Sequence, residues 1–168
     1  MRMKHWGKLL AGLAIAVGCA ALPGTATASA QAASINCNHS SGNGTPRSAA
    51  YLLPGKAGAV QLCKDSANRF WAYVVFYHPL AANHSAQAAL VTYRNGSWWD
   101  GITCDQGGNG YVRPGQTRCW TKKVSGSSSI YTFSAEASYY GGANPASAPT
   151  ISSGFTARCG ATGSCVAG

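Results

Sequence analysis

The sequence predicts an all-β protein: an antiparallel sandwich of seven or eight strands stapled by three disulfides, with a small β-barrel as the second choice. Three observations carry this expectation. Apolar residues recur with period two or in short β-branched and aromatic runs, and no stretch shows a helical stripe. Clusters of Gly, Asn and Pro separate those runs, and 21 of the 168 residues are glycine. Six cysteines follow an export-type leader. Charged residues make up 10% of the chain, against a usual share of about 25%, which excludes a Glu/Lys-rich bundle or coiled coil. With 46% hydrophobic residues and five tryptophans, the chain is too apolar to be disordered throughout. Its length fits one domain.

Residues 1–30 read as a secretory signal peptide. Arg2, Lys4 and Lys8 form a basic start, and Leu9 to Val17 is an apolar core. That core is far shorter than the roughly 20 residues of a membrane span. Ala28-Ser29-Ala30 supplies the small-x-small cleavage pattern, so export and an extracellular location are expected. Val17-Gly18-Cys19 distantly resembles a lipobox, which makes lipid anchoring through Cys19 the alternative. Without residues 1–30, ten basic residues face four acidic ones, a net charge of +6. Six cysteines remain: Cys37, Cys63, Cys104, Cys119, Cys159 and Cys165. Their order suggests the pairs Cys37–Cys63, Cys104–Cys119 and Cys159–Cys165. No C-x2-C pair marks a zinc site, and nothing points to a cofactor. The Ala-rich leader and the low Lys, Glu and Ile content resemble exported bacterial proteins of high-GC genomes.

Residues 31–48 form a polar arm of Ser, Asn, Ala and Gly, and residues 49–168 form the β domain. Such an arm buries too little apolar surface to order itself, except where Cys37 ties it down. It is suited to adding a strand to a partner. Ala49 to Leu53 and Ala59 to Cys63 are short strand candidates. Phe70 to Tyr77 is apolar on both faces, as in a central buried strand. Ala86 to Arg94 and Ser97 to Cys104 flank Asn95-Gly96, a type I′ hairpin signal. A two-residue loop sets Tyr93 opposite Trp98, Val91 opposite Asp100 and Ala89 opposite Ile102. Asp105 to Gly110 is a loop, Arg113 to Gln116 a turn, and Thr117 to Val124 a strand. Gly126 to Ser129 is another turn. In Ile130 to Tyr140, Tyr131, Phe133, Ala135, Ala137 and Tyr139 share one face. Ile151, Ser153, Phe155, Ala157 and Cys159 alternate in the same way.

The chemistry is sparse. The acids Asp65, Asp100, Asp105 and Glu136 show no paired-carboxylate spacing, and no G-x-S-x-G elbow is present. His78 and His84 bracket a loop, and with Glu136 they are the candidate acid–base groups of a small basic hydrolase such as a ribonuclease. The densest cationic and aromatic group is Tyr111, Arg113, Arg118, Trp120, Lys122 and Lys123. Arg118, Trp120 and Lys122 are expected on one strand face. These residues, with Trp98, are the candidate binding residues, since aromatic and Arg side chains dominate interface hot spots. No catalytic or metal-binding set is assigned. The expected function is therefore a non-catalytic secreted interaction module, an adaptor or accessory subunit in an extracellular assembly such as an antagonistic toxin particle. Its expected partner is another secreted or surface protein. An acidic wall polymer or carbohydrate is a second partner class, and specific nucleic-acid recognition is not expected. The alternatives are an inhibitor of an extracellular hydrolase, presenting the Cys104–Cys119 loop, and the hydrolase itself.

Overall fold

The computed structural model describes Cys37, residues 44–52 and residues 57–167. The leader, Cys19 and most of the arm lie outside these residues. Nine strands are present among them: β1 (Thr45–Tyr51), β2 (Gly58–Lys64), β3 (Arg69–Phe76), β4 (Ser85–Arg94), β5 (Ser97–Thr103), β6 (Arg118–Trp120), β7 (Val124–Ser125), β8 (Tyr131–Tyr140) and β9 (Thr150–Phe155). β1 starts at Thr45, before the expected Ala49. One sheet, A, has the order β1-β2-β3-β6, with β7 also on β3, and the other, B, runs β5-β4-β8-β9. All pairs are antiparallel. Two such sheets face to face make a sandwich, and no closed barrel forms.

The core lies between the sheets, where period-two patterning puts it. β3 contributes Phe70, Ala72 and Val74, β4 contributes Ala86, Ala88 and Leu90, and β8 contributes Phe133, Ala135 and Ala137. Phe70 and Phe133 stack across the sheets with ring centroids 4.5 Å apart. The three expected disulfides all form: Cys37–Cys63, Cys104–Cys119 and Cys159–Cys165. β3 is central and buried on both faces as expected, because its outer face has its own cover. There Cys37, Cys63, Trp71 and Tyr73 make a second small core, with Val75 and Trp120 against it. Gln61 Oε1 accepts the Cys37 backbone N–H at 3.2 Å and holds this cover down.

Single-residue bulges decide which way the side chains point. A slip of one residue moves a whole strand's side chains to the opposite face. At Asn95-Gly96 both residues take positive φ, 51° and 82°, as a type I′ turn requires. Tyr93 then faces Trp98 as expected. A bulge follows, so Thr92 faces Asp100, Val91 faces Gly101 and Leu90 faces Ile102, correcting the expected Val91–Asp100 and Ala89–Ile102 pairs.

The strand expected over Thr117–Val124 is similarly broken. Trp120 faces Tyr73 but Val124 faces Phe70, so four steps on one strand span three on the other. Thr121 fills the gap. Its Oγ1 accepts the Ala72 N–H at 3.1 Å and donates to Lys122 O, while its own N–H donates to Ala72 O. Thr156 does the same on sheet B. Its Oγ1 accepts the Ala135 N–H at 3.0 Å and donates to Ala157 O, and its N–H donates to Ala135 O. Around it Phe155 faces Glu136 while Cys159 faces Phe133, again four steps against three. The expected common face for Ile151 through Cys159 is therefore wrong. Ile151 and Phe155 point outward, while Ser152 and Cys159 are buried. Gly154 takes the inward position because a Cβ there would come within 2.6 Å of Tyr51 O.

Candidate functional site

The two sides of the sandwich are finished differently. On the β1/β9 side the C-terminal residues tie the sheets together. Ala157 N–H donates to Ser48 Oγ, Arg47 Nη2 to Gly163 O at 2.8 Å, and Lys64 Nζ to Ala161 O at 2.7 Å. On the β5/β7 side a cleft of about 260 Å³ stays open, walled by Trp99 and Asp100 from β5 and by Val124 and Ser125 from β7. Phe133 and Tyr131 floor it, and Thr92 faces it.

The β5 bulge creates this side. Alternation expects Trp98 and Trp99 to point opposite ways, with at most one of them packed into a core face. Neither is packed: Trp98 is 67% and Trp99 53% solvent-accessible. Trp98 lies opposite Tyr93 on the outer face of sheet B, and Trp99 turns to the cleft. The Arg94 guanidinium carbon sits 4.8 Å from the Trp99 ring centroid, a cation–π pair. On the edge strands β5 and β6, side chains cap several backbone N–H groups. Asp100 Oδ1 accepts the Gly101 N–H, Gln106 Oε1 the Thr103 N–H, and Asn109 Oδ1 the Trp120 N–H. Capped edges resist the addition of a further strand.

The structure distributes the sequence-derived binding residues over different surfaces. Tyr111 and Arg113 flank Val112, which pairs with Ala86 and is buried, and Arg113 stacks over Tyr111 at 5.4 Å. Val112 thus ties the Cys104–Cys119 loop to the start of β4. Arg118 and Trp120 lie on the outer face of sheet A, where Trp120 packs against the second core. Burial raises the Tyr73 phenol above its ordinary value, and Arg118 beside it opposes the rise. The β6/β7 slip puts Lys123 rather than Lys122 on that outer face, correcting the expected Arg118–Trp120–Lys122 alignment. Lys122 instead lies beside Gly107. Lys123 sits 4.3 Å from the Trp71 ring centroid and pairs with Asp65 Oδ2 at 3.1 Å.

Asp65 is a structural carboxylate. Oδ1 accepts the N–H groups of Ala67 and Arg69, and Oδ2 binds Arg69 and Lys123. Burial pushes its pKa up, but the backbone and side-chain hydrogen bonds from Arg69 and Lys123 outweigh this and hold it at about 2. His78 borders a different cleft of about 400 Å³ with Phe76, Tyr77, Leu80 and Tyr139, and no carboxylate lines it. His84 stacks on Tyr139 at 5.1 Å. Glu136 is exposed on the outer face of sheet B, opposite Ala89 and Phe155. Asp105 is held by Gln87 and Thr103. No group of three His, Cys, Asp or Glu among the described residues is placed to hold a metal ion, and no helix among them is long and apolar enough to cross a membrane. No protein family, curated protein or solved structure matches the chain.

Sequence reasoning missed Trp99 as a site residue and missed Arg158 altogether. Arg158 had a signal: a buried Cys159 on an extended segment puts its neighbour on the opposite, outward face.

Proposed function

We propose that the protein is a secreted, non-catalytic interaction module that docks another protein on the β5 side of the sandwich. One observation carries this reading. Edge strand β5 exposes two adjacent tryptophans, Trp98 on the outer face of sheet B and Trp99 beside Arg94 and an open cleft, where the core has no use for them. Trp and Arg are the residue types that dominate hot spots, and an anchor in a pocket is their usual setting. The capped edges favour side-chain docking over strand addition. Three disulfides suit a chain that works in an oxidising compartment.

The test is capture from the producing cell's culture fluid on immobilised mature protein. Wild-type protein retains a stoichiometric partner, identified by intact mass. W98A and W99A each weaken retention by about 1–3 kcal/mol with an unchanged thermal midpoint. Equal retention by both variants refutes the surface. Turnover of RNA or wall polymer that is lost in His78→Ala refutes the non-catalytic reading.

A further inference from the structure

Arg158 carries donors that the fold does not use. It leans on the outer face of sheet B, held by three contacts. Its guanidinium carbon lies 3.5 Å from the Tyr93 ring centroid. Nη1 donates to Gly96 O at 3.1 Å. Its backbone exchanges two hydrogen bonds with Val166, at 2.8 and 2.9 Å. The remaining edge, Nε and Nη2, has no hydrogen-bond partner among the described residues, and Nε is shielded from solvent. A guanidinium nitrogen donates and never accepts, so only an acceptor can satisfy this edge. Leaving a charged donor unmet is costly. No carboxylate does the job, since the ion pairs among the described residues all use Asp65. Arg69 shows the same edge at work: its Nε and Nη2 both lie 2.9 Å from Asp65 Oδ2.

Arg158 borders a cleft of about 270 Å³ that is also lined by Ser127, Ser129, Thr132, Thr162 and Ser164. The Thr132 hydroxyl is likewise buried and unpartnered. No acidic residue lines this space. Lys64 and Arg47 add positive charge close by, through their bonds to Ala161 O and Gly163 O in the Cys159–Cys165 loop. We infer that this cleft binds a phosphate group, held by the Arg158 guanidinium, whose Nη2 has no partner among the described residues, and surrounded by the serine and threonine hydroxyls. A planar Arg fork matches oxyanions in geometry and charge. The hydroxyls come from three chain segments, which suits a tetrahedral anion with several acceptor oxygens better than a carboxylate with two. The tilt of the site follows from the stack on Tyr93, which fixes the plane of the guanidinium before any ligand arrives. This site is separate from the β5 surface and does not depend on it.

The test is nitrogen-15 NMR of the disulfide-intact protein, following the Arg158 Nε–H and the Thr132 and Thr162 amides. Sodium phosphate, glycerol phosphate, sodium acetate and sodium chloride are titrated at matched ionic strength. Phosphate produces saturable shifts at these resonances, acetate binds more weakly, and chloride produces none. Glycerol phosphate binding as tightly as inorganic phosphate, or more tightly, shows that the site accepts phosphate carried on an organic group. R158K keeps the charge but loses the fork, and weakens binding at least tenfold. T132V leaves the Tyr93 stack intact and weakens binding several-fold, while W98A leaves the response unchanged. The inference is overturned if phosphate gives no saturable shift up to about 20 mM, where even a millimolar site is filled. It is also overturned if acetate or chloride matches phosphate, or if both R158K and T132V bind as the wild type does.

Discussion

Replacing Asp65 by Asn tests whether Lys123 serves the fold or the binding surface. Asn keeps the Oδ1 acceptor for the Ala67 and Arg69 N–H groups. It removes the charge that Arg69 and Lys123 share and turns an amide N–H toward both cations. The carboxyl's shift from 3.8 to about 2 corresponds to about 2.4 kcal/mol of differential stabilisation. Arg69 is 52% exposed, so solvent screens its share, and the expected loss for D65N is about 1–2 kcal/mol. The folded pKa lies below the unfolded one, so the contribution is complete above pH 3.8 and disappears as pH falls through about 2. Urea unfolding of wild-type protein and D65N therefore differs most near neutral pH. The gap closes at about pH 1.5, where wild-type Asp65 is itself neutral. A gap that persists unchanged in acid, or no gap at neutral pH, refutes this account of Asp65. K123M extends the test. It costs stability and leaves partner capture intact, whereas lost capture at wild-type stability would assign Lys123 to the binding surface.

Three further outcomes are expected. T121V and T156V each strip an acceptor from a buried backbone N–H, of Ala72 and Ala135 respectively, and lower stability by about 1–3 kcal/mol in chemical denaturation. Trp71→Ala, on the same outer face as Trp120 but fully buried, costs about 3–5 kcal/mol. W98A, at 67% exposure, changes the thermal midpoint little, and equal losses in the two variants would contradict the burial difference. Joint replacement of Cys37 and Cys63 by Ser opens a 26-residue separation and costs about 2–4 kcal/mol. It also uncovers Trp71 and Tyr73, which a red shift in tryptophan emission reports.

The strands were legible because each is a run of residues whose type and period suit a half-buried or fully buried pleated surface. FWAYVVFY has no polar face, and β3 is covered on both sides. Asn95-Gly96 demands positive φ at two successive residues, and the hairpin turns there. The disulfides followed chain order, each joining cysteines close in sequence, 26, 15 and 6 residues apart. These are local properties, so residue order alone determined them.

Facing was another matter. Bulges after Tyr93, at Thr121 and at Thr156 each insert one residue into a ladder. Whether a strand bulges depends on what its neighbour offers across the gap. Thr121 and Thr156 can leave the ladder because their hydroxyls take over the hydrogen bond of a missing carbonyl. No periodicity within either segment records that exchange. The same slips turn Trp99 to the cleft beside an exposed Trp98, move Lys123 onto Trp71, and turn Phe155 outward while Cys159 stays buried. Residue order therefore determined the strands, turns and staples. The pairing of strands distant in sequence decided which side chains the surface presents, because one inserted residue reverses every face beyond it.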